Sequence, residues 1–330
     1  MKRSTTGFAI AIAWPDTWCK QAGSWYEGIT RLLGFNKAGY YQAGHAAIVL
    51  VNEEGLCHYF DFGRYHAPFA YGRVRSRVTD PELKIHAEAD IANNHIINIR
   101  EILSELVNRE ACHGAGDLHA SYCEIQFDLA YARATYLQNI SPIPYGPFVW
   151  NGTNCSRFVR SVLLAGRPGI RKSLRLALPY TLTPSPMTNV RALPDYRIVR
   201  KCESDEKNLP TINVKGVLLS PPRPAHLHNT VQWISGEGAG SWFDIREKNN
   251  VYEICRYDPN GKVEFKRNYE LTNPGQFDCK KPFYFTYLSH FQRVQVSQGG
   301  VLHTFVPRKD LGIPGHYDNC IAKERMVIHA

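Results

Sequence analysis

The chain has 330 residues, 39 basic against 30 acidic, for a formal net charge of +9 with histidines neutral; 44% of it is hydrophobic and 12% aromatic. This composition supports a real core and excludes global disorder and collagen-like repetition, and at roughly 100–200 residues per domain the length predicts two units. The longest apolar runs, 8–14 and 46–51, fall well short of the roughly 18–20 residues that span a bilayer, so no transmembrane helix is expected.

The opening MKRSTTGFAIAIAW carries two early basic residues. Its apolar run is short for a secretory h-region and no small-x-small site follows it. The alternation of Phe and Ile with Ala instead predicts a first β-strand over 7–13. Further strands are predicted over 45–51, 56–62, 83–90 and 118–125, each bounded by turn residues or charge. Asn98 followed by Glu101 reads as a capping box that opens an amphipathic helix over 99–109, with Ile99, Ile102, Leu103, Leu106 and Val107 on one face. A second helix is predicted over 127–138. A third begins near Asn154 and runs through Phe158, Val159, Val162 and Leu163 to stop at Gly166.

From about residue 201 the texture changes. Residues 203–210 are polar and SPPRPAHLHN (220–229) is proline-rich, which places a linker over 201–229. Strands then follow at 231–234, 242–245, 251–257, 263–269, 283–287, 293–297 and 301–306, with DPNG (258–261) as a hairpin turn. The expected class is α+β: an antiparallel sheet packed on helices over 1–200, then a smaller, mostly antiparallel β domain over 230–330.

Nine cysteines (19, 57, 112, 123, 155, 202, 255, 279, 320) are scattered without paired spacing. They indicate neither a disulfide framework nor a zinc knuckle, and the expected compartment is the cytoplasm, with export left open. Charge is concentrated: between Asp128 and Asp195 there is no acidic residue, while Arg133, Arg157, Arg160, Arg167, Arg171, Lys172, Arg175 and Arg191 fall inside. Segment 133–191 is either a solvated helix face or a positive field for an anionic ligand or a nearby thiolate.

The chemistry-bearing stretch is NGTNCSRFVRSVLLAG, which sets Cys155 at a helix start after a glycine-containing loop. Unpaired backbone N–H groups and the positive end of the helix dipole there favour a thiolate. The candidate base is His45, the first residue of a strand after Gly44; an imidazole can take a proton from a thiol, or pair with it as an ion. After the NEEG turn, LCHYFDFG offers His58 and Asp61 as an orienting partner. If the hairpin closes through Glu53 and Glu54, position 52 faces 55 and alternation puts His58 on the face of His45; a slip of one residue puts Asp61 there instead.

GHAAIVLVNEEGLCH resembles the histidine strand and following hairpin of NlpC-type papain-fold peptidases, and PYGPFVWNGTNCSRFV resembles the tyrosine and glycine loop and Asn-Cys helix start of the same family. His45 precedes Cys155, the order of the circularly permuted branch that includes lecithin:retinol acyltransferase-like proteins. The resemblance covers about 7–194. It implies a permuted papain-like domain in which Cys155 is the nucleophile, His45 the base, His58 the orienting residue and Tyr145 a neighbour of the nucleophile at the oxyanion site, with the Cys155 N–H as an oxyanion donor. The implied activity is a cysteine-dependent hydrolase acting on a small peptide, amide or acyl-ester substrate through an acyl-enzyme, with no metal or organic cofactor. The alternatives are an inactive papain-like binding module and an acyltransferase or lipase acting on acyl lipids.

Other patterns carry less. GEGAGSW (236–242) lacks the dinucleotide-binding spacing and reads as a tight turn. His226 and His228 have no spaced third ligand, and the aromatics of 283–287 alternate too little for a base-stacking platform, so no specific nucleic acid is expected.

Overall fold

The computed structural model describes residues 6–20, 40–146, 148–178, 184–201, 220–236, 239–248, 251–272 and 277–308. The polar stretch 203–210, Cys202 and Cys320 lie outside these residues.

The first unit contains β1 (Gly7–Trp14), a small ribbon of β2 (Trp18–Lys20) and β3 (Tyr40–Gln42), then β4 (His45–Asn52), β5 (Cys57–Gly63) and β6 (Tyr71–Ser76). A two-residue hairpin of β7 (Ile91–Ala92) and β8 (His95–Ile96) precedes helix α1 (Ile99–Val107) and strand β9 (Leu118–Ile125). Next come α2 (Phe127–Asn139), β10 (Ile143–Pro144), α3 (Cys155–Ala165), α4 (Ile170–Ala177), α5 (Pro186–Arg191) and β11 (Arg197–Val199). The main sheet has the order β10-β6-β5-β4-β1-β9-β11, with antiparallel neighbours throughout.

The alternation in β1 sorts its side chains onto two cores. Phe8, Ile10, Ile12 and Trp14 pack with Ile99, Ile102, Leu103, Leu106 and Val107, the predicted face of α1. Ala9, Ala11, Ala13 and Ala46 line the opposite face, where Phe158, Val159, Val162 and Leu163 of α3 and Ala130 and Ala134 of α2 pack. Small side chains on that face let α3 approach the two central strands closely, and this places the start of α3 beside the start of β4.

Four expectations are corrected. The stretch 83–90 is no sheet strand: a 3-10 turn, Pro81–Leu83, leads into an extended segment. There the Glu105 carboxylate accepts from the amides of His86 and Ala87, and the Gly55 carbonyl accepts from Ala89, so a side chain and a turn replace ladder partners. Asn98 makes no side-chain cap: its Oδ1 accepts from the Asp90 amide and its Nδ2 donates to the Glu88 carbonyl, tying the helix start to that segment. Helix α1 ends at Val107. Finally, β6, α4 and α5 are additional elements; in YGRVRS the two arginines hide a buried strand behind a polar pattern.

The second unit is a seven-stranded antiparallel sheet of order β12-β13-β14-β15-β18-β17-β16. Its strands are β12 (Gln232–Ile234), β13 (Ser241–Lys248), β14 (Val251–Tyr257), β15 (Val263–Leu271), β16 (Tyr284–Phe285), β17 (Val294–Gln298) and β18 (Val301–Pro307). The Gln232 side chain donates to the Phe283 carbonyl and accepts from the Phe285 amide, so the first and last strands are bridged and the sheet closes in a barrel-like manner. Phe243, Ile254, Tyr269, Val294, Val296 and Phe305 fill its core. The predicted DPNG turn joins β14 to β15, with the Asp258 carboxylate accepting from the amides of Asn260 and Lys262. No described helix is long and apolar enough to cross a membrane.

Candidate functional site

The site is built where β4 begins. Gly44 precedes it at φ +71°, and a Cβ there would meet Pro186, Pro15 and the Trp14 carbonyl at 3.1–3.3 Å, so this corner requires glycine on both counts. His45 follows, opposite Trp14 in the β1 ladder and stacked on its indole with centroids 5.8 Å apart.

The β4–β5 register decides the partner of His45. Ala47 pairs with Asp61 and Leu50 with His58, one residue away from the pairing of 52 with 55. Asp61 therefore shares the face of Ala47 and His45, and its Oδ2 lies 3.5 Å from His45 Nε2. His58 faces the other core, against the rings of Phe127 and Tyr131 at 5.6 and 5.2 Å. The expectation that His58 stands beside His45 is thereby corrected, and the slipped register applies. The reason is local: Asn52 Oδ1 accepts from the amides of Glu54 and Leu56, and the Asn52 amide reaches the Leu56 carbonyl, which makes the turn one residue longer than NEEG closing through Glu53 and Glu54.

Asp61 is fully buried and strongly held. Arg75 Nε donates to its Oδ1 at 3.0 Å and Nη2 to its Oδ2 at 2.5 Å, and the Tyr59 hydroxyl donates to Oδ2 at 3.1 Å. Burial opposes its charge, but the Arg75 guanidinium and then His45 outweigh burial and hold the carboxyl well below the usual carboxylate range. Arg75, itself buried, also donates to the Ala111 carbonyl and lies 3.7 Å over the Tyr65 ring. Tyr65 stacks on His113 at 4.8 Å and presents an edge to His45 at 6.3 Å. Gly63 makes this possible, because a Cβ there would fall 2.0 Å from the Tyr65 ring.

Cys155 opens α3 as predicted. The Asn154 side chain accepts from the Arg157 amide at 2.8 Å, and the loop before it is fixed by Gly146 N–H donating to the Thr153 carbonyl and Thr153 N–H to that of Pro144. The thiol contacts the His45 imidazole and the Ala46 amide, with Ser156 Oγ at 3.9 Å. Burial disfavours a thiolate here, yet the hydrogen bond and charge of His45, followed by Ser156 and Ala46, lower Cys155 from its ordinary value. Burial equally disfavours a charged His45, and Asp61 and Cys155 overcome it to raise the imidazole to about 9. Burial pushes Cys57, Cys112 and Cys123 up to about 12 and Cys279 to about 11, so Cys155 stands apart from them.

Tyr145 lies on the loop leading to Cys155, stacked on Phe62 at 5.7 Å with the Arg64 guanidinium 4.9 Å over its ring. The structure thus brings together Cys155, His45 and Asp61, packs Tyr145 against the core that includes Cys155, and separates His58 from His45 and Asp61. Sequence reasoning missed Trp14, Tyr65, Arg75 and His113. The usable signal for Arg75 was the alternation of Arg73, Val74 and Arg75 after Gly72, a strand pattern with its polarity reversed. In the basic segment, Arg133 is bonded to Ser161 and Arg160 to the Ala177 carbonyl, while Arg167, Arg171 and Arg175 are exposed. His226 Nε2 donates to the Gly261 carbonyl at 3.1 Å, and no metal-binding group of three His, Cys, Asp or Glu side chains occurs among the described residues.

Residues 9–169 match the family model described as type VI secretion system effector TseH-like, and residues 231–306 match the DUF6695 C-terminal domain. The crystal structure of the type VI secretion system effector TseH aligns over 49% of this chain and 78% of its own, with 20% identity and a TM-score of 0.35. No curated protein matches.

Proposed function

We propose that this chain is a cysteine-dependent acyl-transfer hydrolase of permuted papain-like architecture, acting on an amide or ester carbonyl. The observation that carries the reading is a single imidazole, His45, in contact with both the Cys155 thiol at a helix start and the buried Asp61 carboxylate. In the resting state the pair is a thiolate and an imidazolium. The thiolate attacks the carbonyl carbon and a C–S bond forms; the developing oxyanion is met by the amide at the start of α3, beside Tyr145. The C–N or C–O bond breaks as His45 gives its proton to the leaving amine or alkoxide. Water then attacks the thioester with His45 taking a proton, the C–S bond breaks, and the carboxylic acid and thiolate are released.

The effector similarity of residues 9–169 supports a target outside the producing cell, in place of the cytoplasmic expectation. The test is acyl-enzyme trapping: the full chain is mixed with p-nitrophenyl acetate, and both the nitrophenolate burst and the intact mass are followed. One acetyl group on Cys155, absent in Cys155→Ser and slow in His45→Ala, is the expected result. Acetylation spread over other residues with no burst would overturn the reading and leave a binding module.

A further inference from the structure

The wall of the site is held by the other domain. Arg64, Tyr65 and His66 follow β5, and Tyr65 is the ring wedged between Arg75 and His113 beside His45. This segment is bonded to the β domain directly at two points, Ala239 and Ser241, and indirectly through Arg73 of β6. The His66 amide donates to the Ala239 carbonyl at 3.1 Å, next to a bridge between Tyr65 and Ala239. His66 Nε2 lies 2.7 Å from Ser241 Oγ, whose hydroxyl donates to Glu264. Arg73 donates from Nε to the Tyr65 carbonyl at 2.9 Å, and its Nη2 lies 2.9 Å from His66 Nδ1.

Arg73 is in turn fixed by Asp80 of its own unit, which the β domain grips from across the interface. Both of its terminal nitrogens reach the Asp80 carboxylate at 2.7 Å. Arg256 of β14, fully buried, donates to Asp80 Oδ1 at 3.0 Å and to Glu82 at 2.6 Å, and pairs with Glu264 at 2.7 Å. One ionic chain therefore runs from the β barrel through Asp80 and Arg73 to the backbone of Tyr65. Charged groups are kept out of water only where several partners hold them, so such a chain has few alternative arrangements.

We infer that the β domain supplies positioning residues to the catalytic centre: Arg256, Gly236 and Ala239 fix the Arg64–His66 segment and thereby the Tyr65 ring that seats His45 against Cys155. This rests on the proposed cysteine chemistry. It gives residues 231–306 a part in the reaction without contact with substrate. It also means that the two units work as one enzyme, so that loosening the barrel's grip changes the ionisation of a thiol on the other domain.

The test uses the full chain, iodoacetamide as probe, and the pH profile of alkylation located at Cys155 by mass spectrometry. Gly236→Ala removes no charged side chain but sets a Cβ 2.3 Å from the Ala239 carbonyl, 2.6 Å from the His66 amide and 2.8 Å from the Arg64 carbonyl. Arg256→Lys keeps the charge but cannot reach three carboxylates, and it serves as the second variant should the first fail to fold by circular dichroism. The expected result is a Cys155 profile displaced toward the free-thiol value by about one pH unit, a roughly tenfold slower reaction on its lower limb. Folded variants with lower melting temperatures but the wild-type profile would show a merely structural interface and overturn the inference. If the wild-type chain itself shows no low-pH reactivity at Cys155, or His45→Ala leaves it unchanged, the proposed function falls, and this inference with it.

Discussion

Arg75 and His45 approach the same carboxylate from different sides: Arg75 holds both oxygens of Asp61, and His45 Nε2 stands 3.5 Å from Oδ2. Asp61 is thereby kept ionised within a buried site, and the imidazole has a fixed negative charge behind it when the thiol gives up its proton. At 3.5 Å the His45 contact is an ion pair rather than a close hydrogen bond, so the carboxylate acts mainly through its field and by limiting the ring's orientation.

Removing that charge costs both stability and thiolate. In Asp61→Asn, Arg75 stays buried with its main partner gone, and a loss of about 3–5 kcal/mol is expected by urea denaturation. Because the folded carboxyl is held below its unfolded value of about 3.9, its contribution is complete above that pH and fades as the pH falls below it. The stability difference between wild type and Asp61→Asn should therefore be largest above pH 5 and shrink on acidification.

His45 has the opposite sign. Its folded value of about 9 lies above the unfolded 6.5, so charge on this ring stabilises the fold fully below about 6.5, and the contribution is lost as the pH rises through about 9. The charge-dependent part of the difference in unfolding free energy between wild type and His45→Ala, from urea denaturation, should approach about 3 kcal/mol below pH 6.5, the size of the shift, and vanish as the pH rises through about 9. Hydrolysis of an ester substrate should fall over the same upper range, as the proton donor to the leaving group is lost.

His58 is predicted to be a core residue without a catalytic part. It is buried on the opposite face of the sheet, and desolvation, followed by Arg77, lowers it to about 3, so it is neutral at ordinary pH. His58→Leu should leave the rate of Cys155 alkylation within about twofold of wild type, whereas Asp61→Asn slows it. A loss in His58→Leu as large as in Asp61→Asn, with the fold intact, would contradict the assignment of the two faces.

Asn154 caps the helix that carries the thiol. Asn154→Ala leaves the Arg157 amide without its acceptor, and a loss of about 1 kcal/mol in stability is expected. The same change loosens the first turn of α3, so slower alkylation of Cys155 at low pH should accompany the lower melting temperature.

Much of this was legible in the chain. The Phe/Ile and Ala alternation of 8–13 gave a strand with two different faces, the apolar spacing after Asn154 gave the helix that opens at Cys155, and the β-rich pattern after 230 gave the barrel strands. What stayed hidden was set by contacts distant in sequence. The β4–β5 register hung on a single side chain, Asn52, that lengthened the turn by one residue and exchanged His58 for Asp61. Arg73 and Arg75 break the apolar pattern that marks a buried strand, and their partners, Asp80 and Asp61, lie on other segments. The stretch 83–90 looked like a strand because Leu83, Ile85, Ala87 and Ala89 alternate with polar residues, yet its amides are taken by Glu105 from α1 and by Gly55.

The most direct test of the central claim is the pH dependence of iodoacetamide labelling of the native chain, read cysteine by cysteine, with His45→Ala run alongside. The account predicts that Cys155 reacts first and well below the free-thiol value of about 8.5, that Cys57, Cys112, Cys123 and Cys279 lag far behind, and that His45→Ala moves the Cys155 profile upward. A Cys155 that reacts no faster than the other thiols, or that is indifferent to His45, would contradict it.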